Sequence, residues 1–212
     1  REAKKKPDVE MLQNDPGYRM ILELDFGDMI PFVLSNIRRR CGISLLYFTI
    51  NSATLLFILF YTVWGVSTGI FNGGTILGQI LLGILAGSIL VIPPHELLHG
   101  LAYRILGARR IKFGADLHQF IFYVTADRFP ISKRELAFLA LAPFLIINLA
   151  TVVFTVGWLT QFAPFSATFL LSHNIMCIGD FAMISFAYKN KGILYSFDDI
   201  QKKKSYFFSG SD

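Results

Sequence analysis

Charge is what this chain has least of. Only 17% of its 212 residues are Asp, Glu, Lys or Arg, where a soluble globular domain carries about a quarter. Residues 42–103 contain one charged side chain, Glu96, and residues 136–188 contain one, Asp180. That scarcity excludes a freely soluble enzyme. Cysteine is nearly missing as well, and Cys41 and Cys177 make no disulfide framework. No internal repeat or low-complexity tract appears. What replaces charge excludes disorder, since 53% of the residues are hydrophobic and 21 are Phe, far more apolar surface than a solvated coil carries.

Each charge-poor stretch is long enough for two helices of the roughly 20 residues that a bilayer core demands. Turn formers divide the first near residues 65–74 and the second near residues 161–166. The chain is therefore expected to be mainly α, a polytopic membrane protein with four spans at about 42–65, 75–103, 136–159 and 167–188. Residues 1–41 form a cytoplasmic N-terminal segment, 42–188 the four-span membrane domain and 189–212 a cytoplasmic C-terminal tail. Trp64 and Trp158 fall at corresponding ends of the first and third spans, as interfacial aromatics do.

All 20 basic residues lie in residues 1–41, 104–135 and 189–212, on one side of these spans. By the positive-inside rule both termini are cytoplasmic in a multi-pass cell-membrane protein. The net charge of +5 then reflects topology and attraction to the lipid bilayer, and no basic, aromatic-interleaved stripe is left over for nucleic acid. Residues 1–41 show no signal-peptide core, and the chain opens on Arg1 rather than Met. Their mixed polar and apolar pattern fits an amphipathic surface element or part of a small cytoplasmic cap.

An ionisable group at membrane depth costs about 2.5–3.5 kcal/mol on insertion scales and calls for a reason. Glu96 has one in the run Pro93-Pro94-His95-Glu96-Leu97-Leu98-His99-Gly100. His95 and His99 are four apart and share a helical face, so both imidazoles can reach one Zn²⁺, with the Glu96 carboxylate beside them as a general base. The proline pair predicts a break or kink, with the helix restarting on Pro94 as a first-turn residue. Backbone freed there must face protein or water, and a water-filled cavity is what hydrolysis needs.

A catalytic zinc takes three protein ligands. From Arg104 inward, His99 lies about 8 Å and His95 about 13 Å deep; Asp180 lies about 13 Å in from Lys189. The matching depth makes Asp180 the expected third ligand. His173 is two turns further out, roughly 10 Å along a straight helix, and so reads as an interfacial or hydrogen-bonded histidine. Cys177 reads as a small packed hydrophobe. Asn148, midway along the third span, is a candidate to bind a substrate backbone or oxyanion, with hydrogen bonding between helices the plainer alternative.

The HELLHG run, the basic loop with extended segments, LALAPFLIINLA (139–150) and SHNIMCIGD (172–180) together resemble a family of bacterial membrane proteins, the Putative zincin peptidases, distant relatives of the site-2 intramembrane proteases. The resemblance covers about residues 75–188. It implies zinc on His95, His99 and Asp180 with Glu96 as base. The Asn-Pro…Leu-Asp-Gly segment of site-2 proteases is absent; only Asn174 and Gly179 stand near Asp180.

The loop between the second and third spans has β-prone runs around Gly114-Ala115-Asp116, which predicts a short membrane-associated β-hairpin turning at those residues. Its edge could pair with an extended peptide. His118 in the hairpin reads as an ordinary loop histidine. The expected function is a membrane-embedded zinc metalloendopeptidase acting on a membrane-associated or transmembrane substrate. The alternative is a proteolytically inert zinc module serving as partner or scaffold in an export or signalling assembly, against which the intact Glu96 argues. A metal transporter would want a second acidic site towards the outer face, and these spans offer none. Sequence leaves oligomeric state open.

Overall fold

The computed structural model describes residues 6–38, 41–116, 121–158, 160–190 and 192–210. The chain opens on a short helix, α1 (Val9–Asn14), whose first turn is capped by Asp8 accepting from the Met11 N–H at 2.8 Å. Strand β1 (Tyr18–Asp25) leads into α2 (Met29–Arg38). The first long helix, α3 (Gly42–Ser67), has 26 residues and is apolar on all faces, the pattern of a helix with no water to face. Leu56, Phe60 and Val63 along it are 66%, 69% and 69% exposed, as a lipid-facing surface would be.

Helix α4 (Gly73–Leu85) passes through a π-helical turn, Ala86–Leu90, into α5 (Ile92–Ile105). Here the structure corrects the expected span of 75–103. The stretch long and apolar enough to span is Gly73–Leu90, and α5, which carries both histidines, follows it. The two prolines fall in the first turn of α5, where their missing donors would be unpaired in any case. The adjustment is made one turn earlier: Val91 N–H donates five residues back to Ala86 at 2.9 Å, and normal spacing resumes with His95 N–H to Val91.

Strands β2 (Ile111–Asp116) and β3 (Ile121–Ala126) pair antiparallel, Ile111 with Ala126 and Gly114 with Tyr123. Gly114, Ala115 and Asp116 are thus part of β2 rather than the turn; residues 117–120, His118 among them, lie outside the described residues. After the two-residue β4 (Ile131–Ser132), α6 (Lys133–Trp158) runs 26 residues with Pro143 inside it. Trp64 is exposed near the end of α3, and the Trp158 side chain is outside the described ones.

The fourth expected span, 167–188, is two helices, α7 (Ala163–Met176) and α8 (Ile178–Lys189), bent by 46° at Cys177. The Ile175 carbonyl, which a continuous helix would give to residue 179, instead accepts from the Tyr47 hydroxyl of α3 at 3.1 Å. An inserted side chain of this kind is a recognised cause of a bend. Among the described residues three helices are long and apolar enough to cross a membrane, or up to four if the bent pair counts as one.

Glycine brings α7 close to the helix before the motif. A Cβ at Gly83 would lie 2.0 Å from Thr168 Oγ1, and one at Gly87 would lie 2.3 Å from the Phe169 carbonyl oxygen. This four-residue spacing of small residues lets helix backbones approach in a bilayer.

Strands β5 (Ile193–Asp199) and β6 (Lys204–Gly210) complete a four-stranded antiparallel sheet in the order β1-β6-β5-β4. The sequence reading contained no such sheet. The two flanking segments meet in it: β1 pairs along β6, Tyr18 opposite Gly210 and Asp25 opposite Lys204. Leu12 of α1 is buried against Phe197, Tyr206 and Phe208, while Phe32 of α2 packs with Phe186 of α8 and Phe207 of β6. The main core joins α2, α5, α6 and α8 to the sheet through Phe32, Tyr103, Leu136, Ala187, Leu194 and Phe207.

Candidate metal centre

The four-residue spacing on α5 puts His95 and His99 on one buried face, with their Nε2 atoms 3.1 Å apart. Asp180, in the first turn of α8, brings Oδ1 to 3.3 Å from His99 Nε2 and Oδ2 to 3.5 Å from His95 Nε2. A tetrahedral Zn²⁺ with ligand bonds of about 2.0–2.1 Å holds its donors about 3.3 Å apart. The three residues therefore have the spacing and chemistry of a zinc ligand set.

The far side of each imidazole is also engaged. His99 Nδ1 donates to the Leu139 carbonyl of α6 at 3.1 Å. That carbonyl is available because position 143 is proline: the N–H that would have closed the helical bond back to Leu139 is missing. A carbonyl can only accept, so the His99 proton is on Nδ1 and its Nε2 presents a lone pair to Asp180. His95 Nδ1 lies 3.1 Å from Nε2 of His173, which is fully buried on α7. Cys177, also fully buried, has Sγ 3.6 Å from that nitrogen, so His95, His173 and Cys177 form a second, overlapping group of close donor atoms.

His173 thus reaches the centre after all. The expected separation of about 10 Å from Asp180 assumed a straight helix, and the bend at Cys177 removes that assumption.

A cavity of about 500 Å³ opens on these groups. His95, Glu96, His99 and Asp180 all line it, with Tyr123, Val124 and Thr125 of β3 on one side and apolar residues of α2 on another. The Glu96 carboxylate faces the Val124 backbone. Further along is a second carboxylate, Asp198 of β5, which accepts from Thr125 Oγ1 and, at 2.6 Å, from Ser205 Oγ. The Tyr103 hydroxyl of α5 meets Thr125 in turn. Burial pushes the Asp198 carboxyl above its ordinary pKa, and the bonds from Ser205 and Thr125 pull it part of the way back.

Of the expected site residues, His95, Glu96, His99 and Asp180 come together in this cavity, and Asn148 does not line it. Its side-chain amide instead bridges α6 and α7, donating to Asn174 Oδ1 at 2.7 Å and to the Phe144 carbonyl at 2.8 Å. Residues that sequence reasoning passed over are Asp198, Thr125 and Pro143. Only Pro143 carried a local signal, a proline in mid-span whose position named the carbonyl it would free.

Fold and site together define a mainly helical chain with three to four candidate membrane-spanning helices and a His/His/Asp donor cluster at the foot of a cavity. It belongs to the Putative zincin peptidase family, whose match covers residues 88–193, half of the chain. That membership implies a zinc metallopeptidase and takes in both histidines, Glu96 and Asp180. No curated protein and no solved structure matches the chain.

Proposed function

We propose that the protein is a membrane-embedded zinc endopeptidase that hydrolyses a peptide bond of a membrane-associated or transmembrane substrate. It would lie in a bacterial cell membrane with four spans, the bent pair α7–α8 being the fourth, and with both termini in the cytoplasm. The observation that carries this reading is the convergence of His95 Nε2, His99 Nε2 and the two Asp180 carboxylate oxygens, with separations of 3.1–3.5 Å. Two imidazoles and a carboxylate at these separations are able to share one cation.

When bound, Zn²⁺ supplies a Lewis acid that brings the pKa of water towards about 7 and polarises a peptide carbonyl. His95, His99 and Asp180 would hold the ion. Glu96, one step round α5 from His95, takes a proton from the attacking water and passes it to the leaving nitrogen as the C–N bond breaks. Val124 and its neighbours on β3 offer backbone groups along the cavity wall, where an extended substrate segment can lie with its carbonyl towards the histidines. The apolar walls keep bulk water from the reacting bond.

The test is the purified Glu96→Gln variant. It is expected to keep one zinc per chain while peptide cleavage falls about 10²–10⁴-fold. Zinc-loaded protein that cleaves as fast as wild type overturns the mechanism.

A further inference from the structure

The geometry points to His173 as a positioning residue of the zinc centre: it accepts the Nδ1 proton of His95 and so turns the Nε2 lone pair of that ring onto the metal position. This rests on the zinc reading above and adds to it a residue that does not touch the metal.

An imidazole that ligates through one nitrogen carries its proton on the other, and that proton needs an acceptor to fix both tautomer and ring orientation. His99 finds a backbone carbonyl, Leu139, freed by Pro143. His95 has the same need on the opposite side of the cluster. There α7 runs past the cluster, its His173 carbonyl taken by the Cys177 N–H and its Ile175 carbonyl by the Tyr47 hydroxyl, each at 3.1 Å. On that side His173 Nε2 lies within acceptor distance, 3.1 Å from His95 Nδ1.

The surroundings hold His173 in place for this task. Its ring stacks on Phe169 one turn earlier, with 12° between the planes. Phe169 is itself pinned, because its carbonyl is the atom that Gly87 of the π turn approaches too closely for any side chain. The π turn that precedes the motif therefore sets the distance between α7 and the motif helix. His173 is not a third ligand on the same ion, because its Nε2 meets the nitrogen of His95 that faces away from His99 and Asp180.

The experiment measures zinc affinity by chelator competition on the full chain in detergent, for wild type, His173→Phe, His173→Gln and Cys177→Ser. Phe keeps a ring but removes the acceptor, and Gln places a carbonyl oxygen near the position of Nε2. His173→Phe is expected to weaken zinc binding about 10–100-fold, the usual effect of losing a partner of a ligating histidine. His173→Gln should recover most of that loss, and Cys177→Ser should bind as wild type does.

Nitrogen NMR of the wild-type histidines gives a reading that needs no variant to fold: His95 protonated on Nδ1 and His173 bare on Nε2. Wild-type protein that binds no zinc removes the proposed function itself. One zinc in wild type with equal affinity in His173→Phe, or the opposite tautomers, overturns the role of His173 and leaves the zinc reading standing. Two zinc ions per chain, one lost in Cys177→Ser, would make His173 a ligand of a second site and also overturn it.

Discussion

Asp180 and Asp198 line the same cavity, and each has two close polar partners. The partners of Asp198 are hydroxyls, Thr125 and Ser205, each with a proton to give. Those of Asp180 are imidazole nitrogens, and His99 has already committed its Nδ1 proton to Leu139. Asp198 meets two hydroxyl donors, whereas Asp180 meets two imidazole nitrogens able to share a cation with it. Partial burial is common to both, so the chemistry of the partner, hydroxyl or imidazole, is what separates a strut from a candidate metal ligand. Asp198 serves as a strut between elements: it joins β3 to β5 and β6, and its backbone carbonyl accepts from the Arg128 N–H at 2.8 Å.

The comparison is broken most directly by exchanging each acid for its amide. Asp180→Asn should weaken zinc binding by more than about 100-fold, beyond the cost of losing an outer partner, as read by chelator competition. Asp198→Asn should leave the zinc dissociation constant unchanged. Equal loss in both variants would mean that the two carboxylates act as one site. A smaller effect is expected from Thr125→Val, which keeps the side chain's shape and leaves Asp198 Oδ2 without its partner. It should cost about 1–3 kcal/mol in unfolding free energy, measured by denaturant titration in detergent, with zinc affinity intact.

These two acids also mark how far the sequence could be read. Asp180 was legible because charge is so rare within the spans, and because its distance from Lys189 matched that of His95 from Arg104. Both are facts about single residues and a helical rise. Asp198 was not, because its meaning lies in Thr125, 73 residues away, and in a sheet that joins the two flanking segments. The runs YRMILELD, ILYSFDD and KSYFFSG are β-prone, yet nothing local says that the first pairs with the last across the apolar helices between them. His173 was misplaced for a third reason. No proline announces the bend at Cys177, which depends on a hydroxyl from α3 reaching the Ile175 carbonyl.

The smallest expected effect concerns pH. Burial raises the pKa of Asp198 in the folded protein above its value of about 3.9 in an unfolded chain, so the folded state holds this proton more tightly. The contribution to stability is therefore complete below about pH 3.9 and is lost as pH rises through the folded pKa. Asp198→Asn lacks that loss, and its stability relative to wild type should improve as pH climbs through the window. Ser205→Ala should act in the opposite sense. Removing a donor that favours the ionised carboxyl raises the folded pKa further and extends the loss to higher pH. Because a hydrogen bond to a charged acceptor is stronger than one to a neutral acceptor, the variant should cost about 1 kcal/mol near neutral pH and less once Asp198 is protonated. A cost that does not change with pH would mean that Ser205 supports the sheet without sensing the carboxyl's charge, and the contrast between the two acids would lose its electrostatic basis.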